Sequence, residues 1–273
     1  MGGKAVGAGG LGDGVRWGGE DAARGEVRVY GDAEALYGAG AEVFVAEAGV
    51  AAAARGRFCV ALSGGRTPAG MYGLLGERAW AEQVAWGAAQ VFWGDERWVD
   101  VEDERSNEGM ARRVFLERVG VPAGQIHSMR CGATAEEAAV CYEGVLRGAL
   151  GSEEALDLVL LGLGEDGHTA SLFAGSEAVA ERGRWVTAVA AETAGAGGVE
   201  RLTLTVEAIN RARKVVFVVS GGRKAEVLRR VLEGDAAGEM LPAGMIRPGA
   251  GRLLWLVDAE AGRLLGGKGN CLQ

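Results

Sequence analysis

Short apolar segments that run into glycine recur along this chain, and stretches with helical character separate them. The clearest are RFCVALSGG from residue 57, QVFWG from residue 90, LDLVLLGLG from residue 156 and KVVFVVSGG from residue 214. Strands that alternate with helices build βαβ units, in which a parallel sheet is covered by helices on both faces. The sequence therefore predicts an α/β fold with a Rossmann-like, mainly parallel sheet. RWVTAVA and RLTLTV, near residues 185–205, predict a small extra sub-sheet.

The N-terminal segment differs in composition from the rest of the chain. Residues 1–25 are rich in glycine and have no apolar periodicity, so we expect a disordered tail. No linker or repeat divides residues 26–273, which predicts a single domain. Asp32 is placed to cap a helix that runs towards Arg55, and Pro68 is expected at the first position of the helix after SGG.

Charge and hydropathy limit the class of partner. The formal net charge of -8 argues against a nucleic-acid-binding protein, whose surface is basic. No apolar run approaches the roughly 18 residues of a membrane span, and the N-terminus lacks the apolar core of a signal peptide. We therefore expect a cytoplasmic protein without a membrane partner, a monomer or a weak homo-oligomer, that acts on a small molecule.

The four cysteines are scattered and form no CxxC pair. This spacing is not that of a disulfide framework, so reduced thiols are expected. Cys59 lies in an apolar segment and is expected to be a small buried hydrophobic residue.

The turn SGGRTP at residues 63–68 lies between a predicted strand and a predicted helix. Glycines there let the backbone approach an anion, and the start of the helix offers unpaired N–H groups. The candidate phosphate-binding residues are Ser63, Gly64, Gly65 and Thr67, although a tight turn that binds nothing has the same spacing. ALSGG also has the pattern of a nucleophile elbow, but that arrangement needs a histidine after the last strands.

The segment LDLVLLGLGEDGHTASLF, residues 156–173, carries the strongest signal of chemistry. It contains one of the two histidines of the chain, His168, in a glycine loop at the end of a predicted strand. Ligands of open α/β sheets bind at the ends of the strands, and histidine is the side chain best suited to proton transfer near neutral pH. His168 is therefore a candidate general base with Asp166 to orient it; a structural histidine is the alternative, and we expect His127 to be one.

The same loop formally contains G-x-G-x-x-G at Gly162, Gly164 and Gly167. As a dinucleotide fingerprint this is weak, because Glu165 and Asp166 would place negative charge against a pyrophosphate. We therefore do not predict a nucleotide cofactor.

Further charged residues lie at the predicted ends of strands and helices. Asp95, Glu96 and Arg97 follow one strand and either converge on a polar ligand or form a solvated loop. Arg201 begins another strand. Lys224 lies in the first turn of a helix, where the helix dipole disfavours a cation unless an anion binds as well.

Together these motifs resemble the 6-phosphogluconolactonases of the glucosamine-6-phosphate isomerase/deaminase superfamily. The similarity extends in order over residues 26–265. The matching segments are ALSGGRTP at 61–68, FWGDERWV at 92–99 with SN at 106–107, LGLGEDGHTASLF at 161–173, RLTLT at 201–205, GGRKAEVL at 221–228 and LPAGMI at 241–246.

The resemblance implies hydrolysis of 6-phospho-D-glucono-1,5-lactone in the oxidative pentose phosphate pathway, without a metal or organic cofactor. The implied roles are a base for His168, a phosphate loop for Ser63, Gly64, Gly65 and Thr67, phosphate-binding cations for Arg201 and Lys224, and a place in the site wall for Asp95 and Arg97.

Two alternatives use the same fold. In the glucosamine-6-phosphate deaminase/isomerases the segment after the histidine resembles AFNEPG, and this segment supplies a carboxylate for ring opening. The segment here, ASLFAGS, has no acid before Glu177. A non-catalytic sugar-phosphate sensor need not keep a base. The chain also departs from the lactonases, since Ala174 and residues 194–200 lack the usual prolines and residues 1–25 have no counterpart.

Overall fold

A computed structural model describes residues 15–17, 24–153, 155–193, 198–234 and 240–266. Most of the predicted tail, and Cys271, lie outside the described residues. Within the tail, however, Val15–Trp17 forms strand β1, which pairs antiparallel with Glu26–Tyr30. The prediction of disorder is therefore wrong for these three residues, because a neighbouring strand supplies backbone partners that composition alone does not show.

The described residues form two sheets. The strands are β1, β2 (Glu26–Tyr30), β3 (Phe58–Leu62), β4 (Ala89–Trp93), β5 (Asp95–Arg97), β6 (Leu158–Leu161), β7 (Val186–Val189), β8 (Arg201–Leu204), β9 (Lys214–Val219) and β10 (Arg252–Asp258). The main sheet has the order β1-β2-β10-β9-β6-β3-β4, and all its strands except β1 are parallel. The second sheet is antiparallel, with the order β5-β8-β7. The predicted mainly parallel α/β fold with a sub-sheet is confirmed.

Helices connect the strands. They are α1 (Ala33–Arg55), α2 (Arg66–Leu75), α3 (Arg78–Ala81), α4 (Asn107–Ala111, continued by a π-helical turn at Arg112–Leu116), α5 (Ala135–Leu150), α6 (Glu177–Ala180), α7 (Val206–Asn210), α8 (Ala225–Glu233) and α9 (Ala259–Gly262). Asp32 caps α1 as predicted, since its Oδ1 accepts from the N–H of Ala35 at 2.8 Å. Pro68 is the third residue of α2 and not the first, but it still lies in the first turn, where a missing N–H breaks no helical bond.

Helix α1 corrects the expectation that no segment approaches a membrane span. By length and composition alone it could cross a membrane, because Glu42 and Glu47 are the only charged residues between Glu34 and Arg55. In the structure its apolar face is part of the core: Leu36 and Phe44 are buried, and the helix packs against α2, β3 and β10. This is the behaviour of a core helix in a layered α/β domain.

The strands at the centre of the main sheet are buried along their whole length. Every residue of β3 and of β6 is buried. Parallel strands covered by helices on both faces are expected to be continuously apolar, as these two are. The polar chemistry of the chain must therefore lie where these strands end.

The cysteines differ from the expectation. Cys131 and Cys141 form a disulfide, with their Cα atoms 5.9 Å apart. Cys131 precedes α5 and Cys141 lies within it, so the fold brings together two residues whose spacing of ten gives no local signal. Cys59 is free and buried as predicted, and burial raises the pKa of its thiol to about 11.

Two buried tyrosines hold the ends of strands β3 and β4. The hydroxyl of Tyr72, on α2, accepts from the N–H of Ser63 at 3.0 Å and donates to its carbonyl oxygen at 3.1 Å. The hydroxyl of Tyr142, on α5, accepts from the N–H of Trp93 at 2.8 Å. Since β4 is at the edge of the sheet, this hydroxyl replaces a missing strand partner, and burial raises the pKa of both tyrosines.

We predict that Tyr142→Phe lowers the free energy of unfolding by about 1–3 kcal/mol, because it leaves the Trp93 N–H buried without an acceptor. Urea unfolding measures this change, and the m-value should stay constant. Tyr37→Phe is the matched control, since the Tyr37 hydroxyl has no hydrogen bond to the described residues; it should cost less than about 0.5 kcal/mol. Equal effects of the two variants would contradict the role of Tyr142.

Candidate active site

A cleft of about 710 Å³ opens where the carboxyl ends of the central strands meet the small sheet. Parallel α/β sheets bind ligands at this edge. The predicted residues that line the cleft together are Ser63, Gly64, Gly65, Asp95, Arg97, Asp166, His168, Arg201 and Lys224. The fold thus brings together groups that are up to 161 positions apart in the numbering of the chain.

Thr67 is placed differently from the other candidates. It lines an adjoining cavity of about 500 Å³ that also contains Arg66 and Arg223. Gly64, Gly65 and Lys224 border both spaces, so the two cavities are continuous around the start of α2.

His168 and Asp166 form a hydrogen-bonded pair at the cleft wall. The distance from His168 Nδ1 to Asp166 Oδ1 is 2.5 Å, and the same oxygen accepts from the backbone N–H of His168 at 3.2 Å. A carboxylate can only accept, so Nδ1 carries the proton of this hydrogen bond; in the neutral imidazole Nε2 then has the lone pair. Partial burial acts to raise the pKa of Asp166, but the charge and hydrogen bonds of His168 outweigh it, and the pKa is lower than usual.

The loop that carries this pair depends on its glycines. A Cβ on Gly164 would lie 2.1 Å from His168 Nδ1 and 2.5 Å from Asp166 Oδ1. Gly167 has a φ of +86°, and Ala170 is the one non-glycine residue of the described chain with a positive φ, +48°. Backbone strain of this kind is kept at functional sites when the surroundings enforce it. Gly164 therefore gives room to the imidazole and to the Asp166 carboxylate, whereas an added Cβ on Gly167 would meet Leu241.

Strand β5 divides its three charged residues between two environments. Successive side chains of a strand point to opposite faces, so Asp95 and Arg97 both line the cleft. The Asp95 carboxylate is buried and accepts from the Ser171 hydroxyl at 2.7 Å and from the Asn107 amide at 3.2 Å. It is thus held in one orientation by two residues outside the predicted set.

Glu96 points the other way and is buried, so it fits neither of the two alternatives, convergence on a ligand or a solvated loop. Its buried carboxylate accepts from the backbone N–H groups of Asn107 at 2.7 Å and Glu108 at 2.8 Å, and from the Ser106 hydroxyl at 2.9 Å. Burial raises the pKa of Glu96 despite these bonds. The residue holds the start of α4 against the small sheet.

Asn107 lies in the cleft, although no role was predicted for it from the sequence. Ser106 caps α4, since its hydroxyl accepts from the N–H of Gly109 at 2.9 Å. The side chain of Asn107 instead enters the cleft, and a Cβ on Gly64 would lie 1.7 Å from its Oδ1. The polar dipeptide Ser106-Asn107 can be recognised in the sequence, but the contact of Asn107 with Gly64 can be seen only in the folded structure.

The cleft contains donors and cations that the described residues leave unsatisfied. The Ser63 hydroxyl is buried without a hydrogen bond, as are the Nε atoms of Arg97 and Arg201. Burial, and then the charge of Arg97, lower the pKa of Arg201. Burial also lowers the pKa of Lys224. Donors and cations of this kind can bind an anion. None of the described hydrogen bonds joins Ser63 to His168, as a nucleophile would be joined to its base.

The start of α2 adds to the same side of the cleft. Its N-cap is Gly65, with a φ of 102° and no side-chain cap, and its first turn has no acidic residue. The first N–H groups of the helix are thus available to an anion, as the sequence predicted.

His127, in contrast, stacks on Phe92 with ring centroids 4.5 Å apart and contacts Gln90, so it has a structural position.

Comparison with known proteins places this chain in a family. The model of the glucosamine-6-phosphate isomerases/6-phosphogluconolactonase family matches residues 31–255. The chain belongs to this family.

The similarity to relatives and to solved structures extends over most of the chain. The 6-phosphogluconolactonase of Synechocystis is 41% identical over 220 residues, which are 79% of this chain and 88% of the relative. That of Nostoc is 39% identical and covers 86% of this chain and 96% of the relative. The structure of 6-phosphogluconolactonase from Trypanosoma cruzi matches 88% of this chain and 97% of its own, with a TM-score of 0.77 and 29% identity.

We predict that Gly164→Ala disrupts the His168–Asp166 pair, because the added methyl group would overlap both side chains. Overpacking of this kind costs about 1–3 kcal/mol of stability. Long-range ¹H–¹⁵N spectra should show the loss of the Nδ1 hydrogen bond, and two histidines make the assignment direct. Gly73→Ala is the control. Gly73 lies in α2, and a Cβ added there would meet no atom of another part of the structure within 4 Å. The change should stabilise the protein by about 0.5–1 kcal/mol. Unchanged imidazole signals in Gly164→Ala would refute the prediction.

Proposed function

We propose that this protein hydrolyses 6-phospho-D-glucono-1,5-lactone to 6-phosphogluconate. The observation that carries the proposal is the His168–Asp166 pair, which faces the same cleft as a set of unneutralised cations and donors. Hydrolysis of a lactone that carries a phosphate group requires a base beside a surface that binds the phosphate. Relatives that bear the name 6-phosphogluconolactonase over most of the chain support it.

The reaction needs no covalent intermediate, because a lactone is an activated ester. Nε2 of His168 takes a proton from water as its oxygen attacks C1, and Asp166 stabilises the imidazolium that forms. The C1–O bond of the ring then breaks, and the proton returns from the imidazolium to the leaving ring oxygen. The acid that results loses a proton to water and becomes a carboxylate.

The phosphate of the substrate is assigned to the start of α2. The Ser63 hydroxyl, the N–H groups after Gly65 and the Lys224 ammonium surround one end of the cleft, and Thr67 borders it from the adjoining cavity. These groups act on the end of the substrate that does not react. Their contribution is orientation, which makes the attack at C1 effectively intramolecular.

The loop after His168 argues against a deaminase/isomerase. Residues 169–176 contain no acid, and the first one, Glu177, does not line the cleft. A carboxylate for ring opening is thus missing from this part of the described site. The His168–Asp166 pair likewise argues against a sensor, which has no need of an oriented base.

The proposal places the enzyme in the oxidative pentose phosphate pathway in the cytoplasm. We propose that it acts as a monomer or a weak homo-oligomer on a phosphosugar lactone, with neither a metal nor an organic cofactor in the reaction and with no nucleic acid or membrane as a partner. Gel filtration with light scattering measures the oligomeric state directly.

We predict that His168→Ala lowers kcat by about 10²–10⁴-fold and leaves the fold intact, since a general base contributes that much to the rate. The assay uses freshly generated lactone, corrected for spontaneous hydrolysis. His127→Ala is the matched control and should keep kcat within a few-fold, because His127 lies outside the cleft. Turnover by His168→Ala at the wild-type rate would eliminate the base assignment, and ammonia release from glucosamine 6-phosphate by the wild type would favour the deaminase.

We predict that Lys224→Ala raises KM for the phosphorylated lactone by about 10–100-fold, the cost of a lost hydrogen bond to a charged group. Its KM for unphosphorylated glucono-1,5-lactone should stay near that of the wild type. Lys214→Ala is the control, since Lys214 lies at the opposite end of β9 and pairs with Glu47. An equal rise in KM for both lactones would place Lys224 away from the phosphate.

A further inference from the structure

A tight turn separates the histidine of the cleft from the aromatic side chain that it packs against. Residues 169–172 form a β-turn, which is closed by a hydrogen bond of 2.9 Å from the N–H of its last residue to the carbonyl oxygen of its first. His168 precedes this turn and Phe173 follows it, and the centres of their rings lie 4.6 Å apart. The conformation of the turn therefore determines where the imidazole lies.

The turn has a conformation that its sequence disfavours. Ala170, its first central residue, has a φ of +48°. Turns with a positive φ at this position usually have glycine, asparagine or aspartate there, because a Cβ makes the conformation unfavourable. Contacts outside the turn are therefore needed to keep the chain in this form.

Ser171, the second central residue of the turn, makes such contacts. Its side chain is fully buried, and its hydroxyl donates to the Asp95 carboxylate at 2.7 Å. Its backbone N–H donates to the hydroxyl of Thr203 at 3.2 Å. Asp95 and Thr203 lie directly opposite each other in the pairing of β5 and β8. A cross-strand pair of the small sheet thus holds one residue of the histidine loop at two points.

The pair that holds Ser171 is itself fixed by neighbours. The Asn107 amide donates to the other carboxylate oxygen of Asp95 at 3.2 Å and to its carbonyl oxygen at 2.8 Å. The Thr203 hydroxyl donates its proton to the carbonyl oxygen of Leu204 at 3.0 Å, which leaves its lone pairs for the Ser171 N–H. Ser171 does not line the cleft, so it acts on the site only through these neighbours and through the turn.

We infer that Ser171 is a positioning residue, which anchors the turn to the Asp95–Thr203 pair and thereby keeps the His168 imidazole directed at C1 of the lactone. The inference rests on the proposed function. It gives the Asp95 carboxylate a supporting role, since Ser171 and Asn107 engage both of its oxygens. The position of the base is decisive for the rate, because a displacement of about 1 Å can cost about 10²-fold.

The first test compares Ser171→Ala with Ser176→Ala in the full chain. Both changes remove a buried hydroxyl from the segment after His168, but the Ser176 hydroxyl has no hydrogen bond to the described residues. Ser171→Ala should lower kcat for the phosphorylated lactone about 10–100-fold, as expected for a displaced base. KM should stay near that of the wild type, because the groups assigned to the phosphate are unchanged. Ser176→Ala should alter neither constant.

A second change in the turn tests the mechanism by rescue. Glycine adopts a positive φ without the penalty of a Cβ, so a turn with glycine at position 170 depends less on its anchor. The double variant Ala170→Gly/Ser171→Ala should therefore have a kcat at least about five-fold above that of Ser171→Ala, which corresponds to the cost of a Cβ at this φ.

Spectra of the imidazole C–H groups give a readout that needs no turnover. In Ser171→Ala the His168 signals should shift, because the ring moves relative to Phe173. The His127 signals should not, since His127 stacks on Phe92 outside the cleft. A residue that only stabilises the fold would lower Tm without moving the His168 signals.

A pair of variants at Thr203 decides the matter if Ser171→Ala does not fold. Thr203→Val keeps the volume of the side chain and removes the acceptor of the Ser171 N–H, whereas Thr203→Ser keeps the acceptor. Thr203→Val should lower kcat about 3–10-fold, as for one lost hydrogen bond, with KM unchanged. Thr203→Ser should keep the kcat of the wild type.

A wild-type kcat in Ser171→Ala would overturn the inference, as would an equal loss in Ser176→Ala, a rise in KM at constant kcat, a double variant no faster than Ser171→Ala, or unchanged His168 signals. Equal kcat values in Thr203→Val and Thr203→Ser would overturn it as well. Failure of the proposed function would look different: the wild type would not accelerate lactone hydrolysis, while the His168 signals would still report whether Ser171 holds the turn.

Discussion

The site depends on the parallel pairing of the central strands. The pairing of Leu62 with Trp93 and of Leu161 with Phe217 brings the ends of β3, β4, β6 and β9 to one edge of the sheet. Because these strands are buried on both faces, a slip in register would expose apolar side chains and is strongly disfavoured. Four loops that are distant in sequence therefore start within one layer, which brings their polar residues together and lets residues such as Ser171 and Asp95 bond to each other.

A set of buried polar residues then fixes three of these loops from outside the cleft, those after β3, β4 and β9. Tyr72 holds Ser63 and Tyr142 holds Trp93, as described above. Asp258, at the end of β10, accepts from the Ser220 hydroxyl at 2.5 Å and from the N–H of Gly221, so it fixes the turn that leads to Lys224. Buried polar contacts of this kind are costly unless they are fully satisfied. Here they supply the rigidity that a preorganised site requires.

The sequence predicted the sheet, the edge at which the cleft lies and most of the residues that meet there, because strand ends and glycine turns are local signals. It did not show that β5 leaves the main sheet after Gly94, whose N–H and carbonyl oxygen bond to Leu62 and to Leu204 in different sheets. That separation turns Asp95 and Arg97 towards the cleft and Glu96 away from it. The contact of Asn107 with Gly64, the Cys131–Cys141 disulfide and the strand at residues 15–17 likewise depend on tertiary contacts, which have no periodicity in the sequence.

The negative net charge of the chain and the positive charges in the cleft act over different distances. The net charge of -8 is spread over the whole molecule, and at physiological ionic strength the field of an exposed charge decays over about 8 Å. Charges on distant faces would therefore act weakly on a ligand inside the cleft, whereas the guanidiniums of Arg97 and Arg201, half-buried in the cleft wall, would act with little screening. Recognition of an anion then depends on a few desolvated donors and not on the overall charge. The same desolvation makes these cations costly to the free protein, since burial and mutual repulsion both oppose the charge on Arg201. A site built in this way lowers the stability of the folded protein when it is empty, and binding of an anion restores that stability.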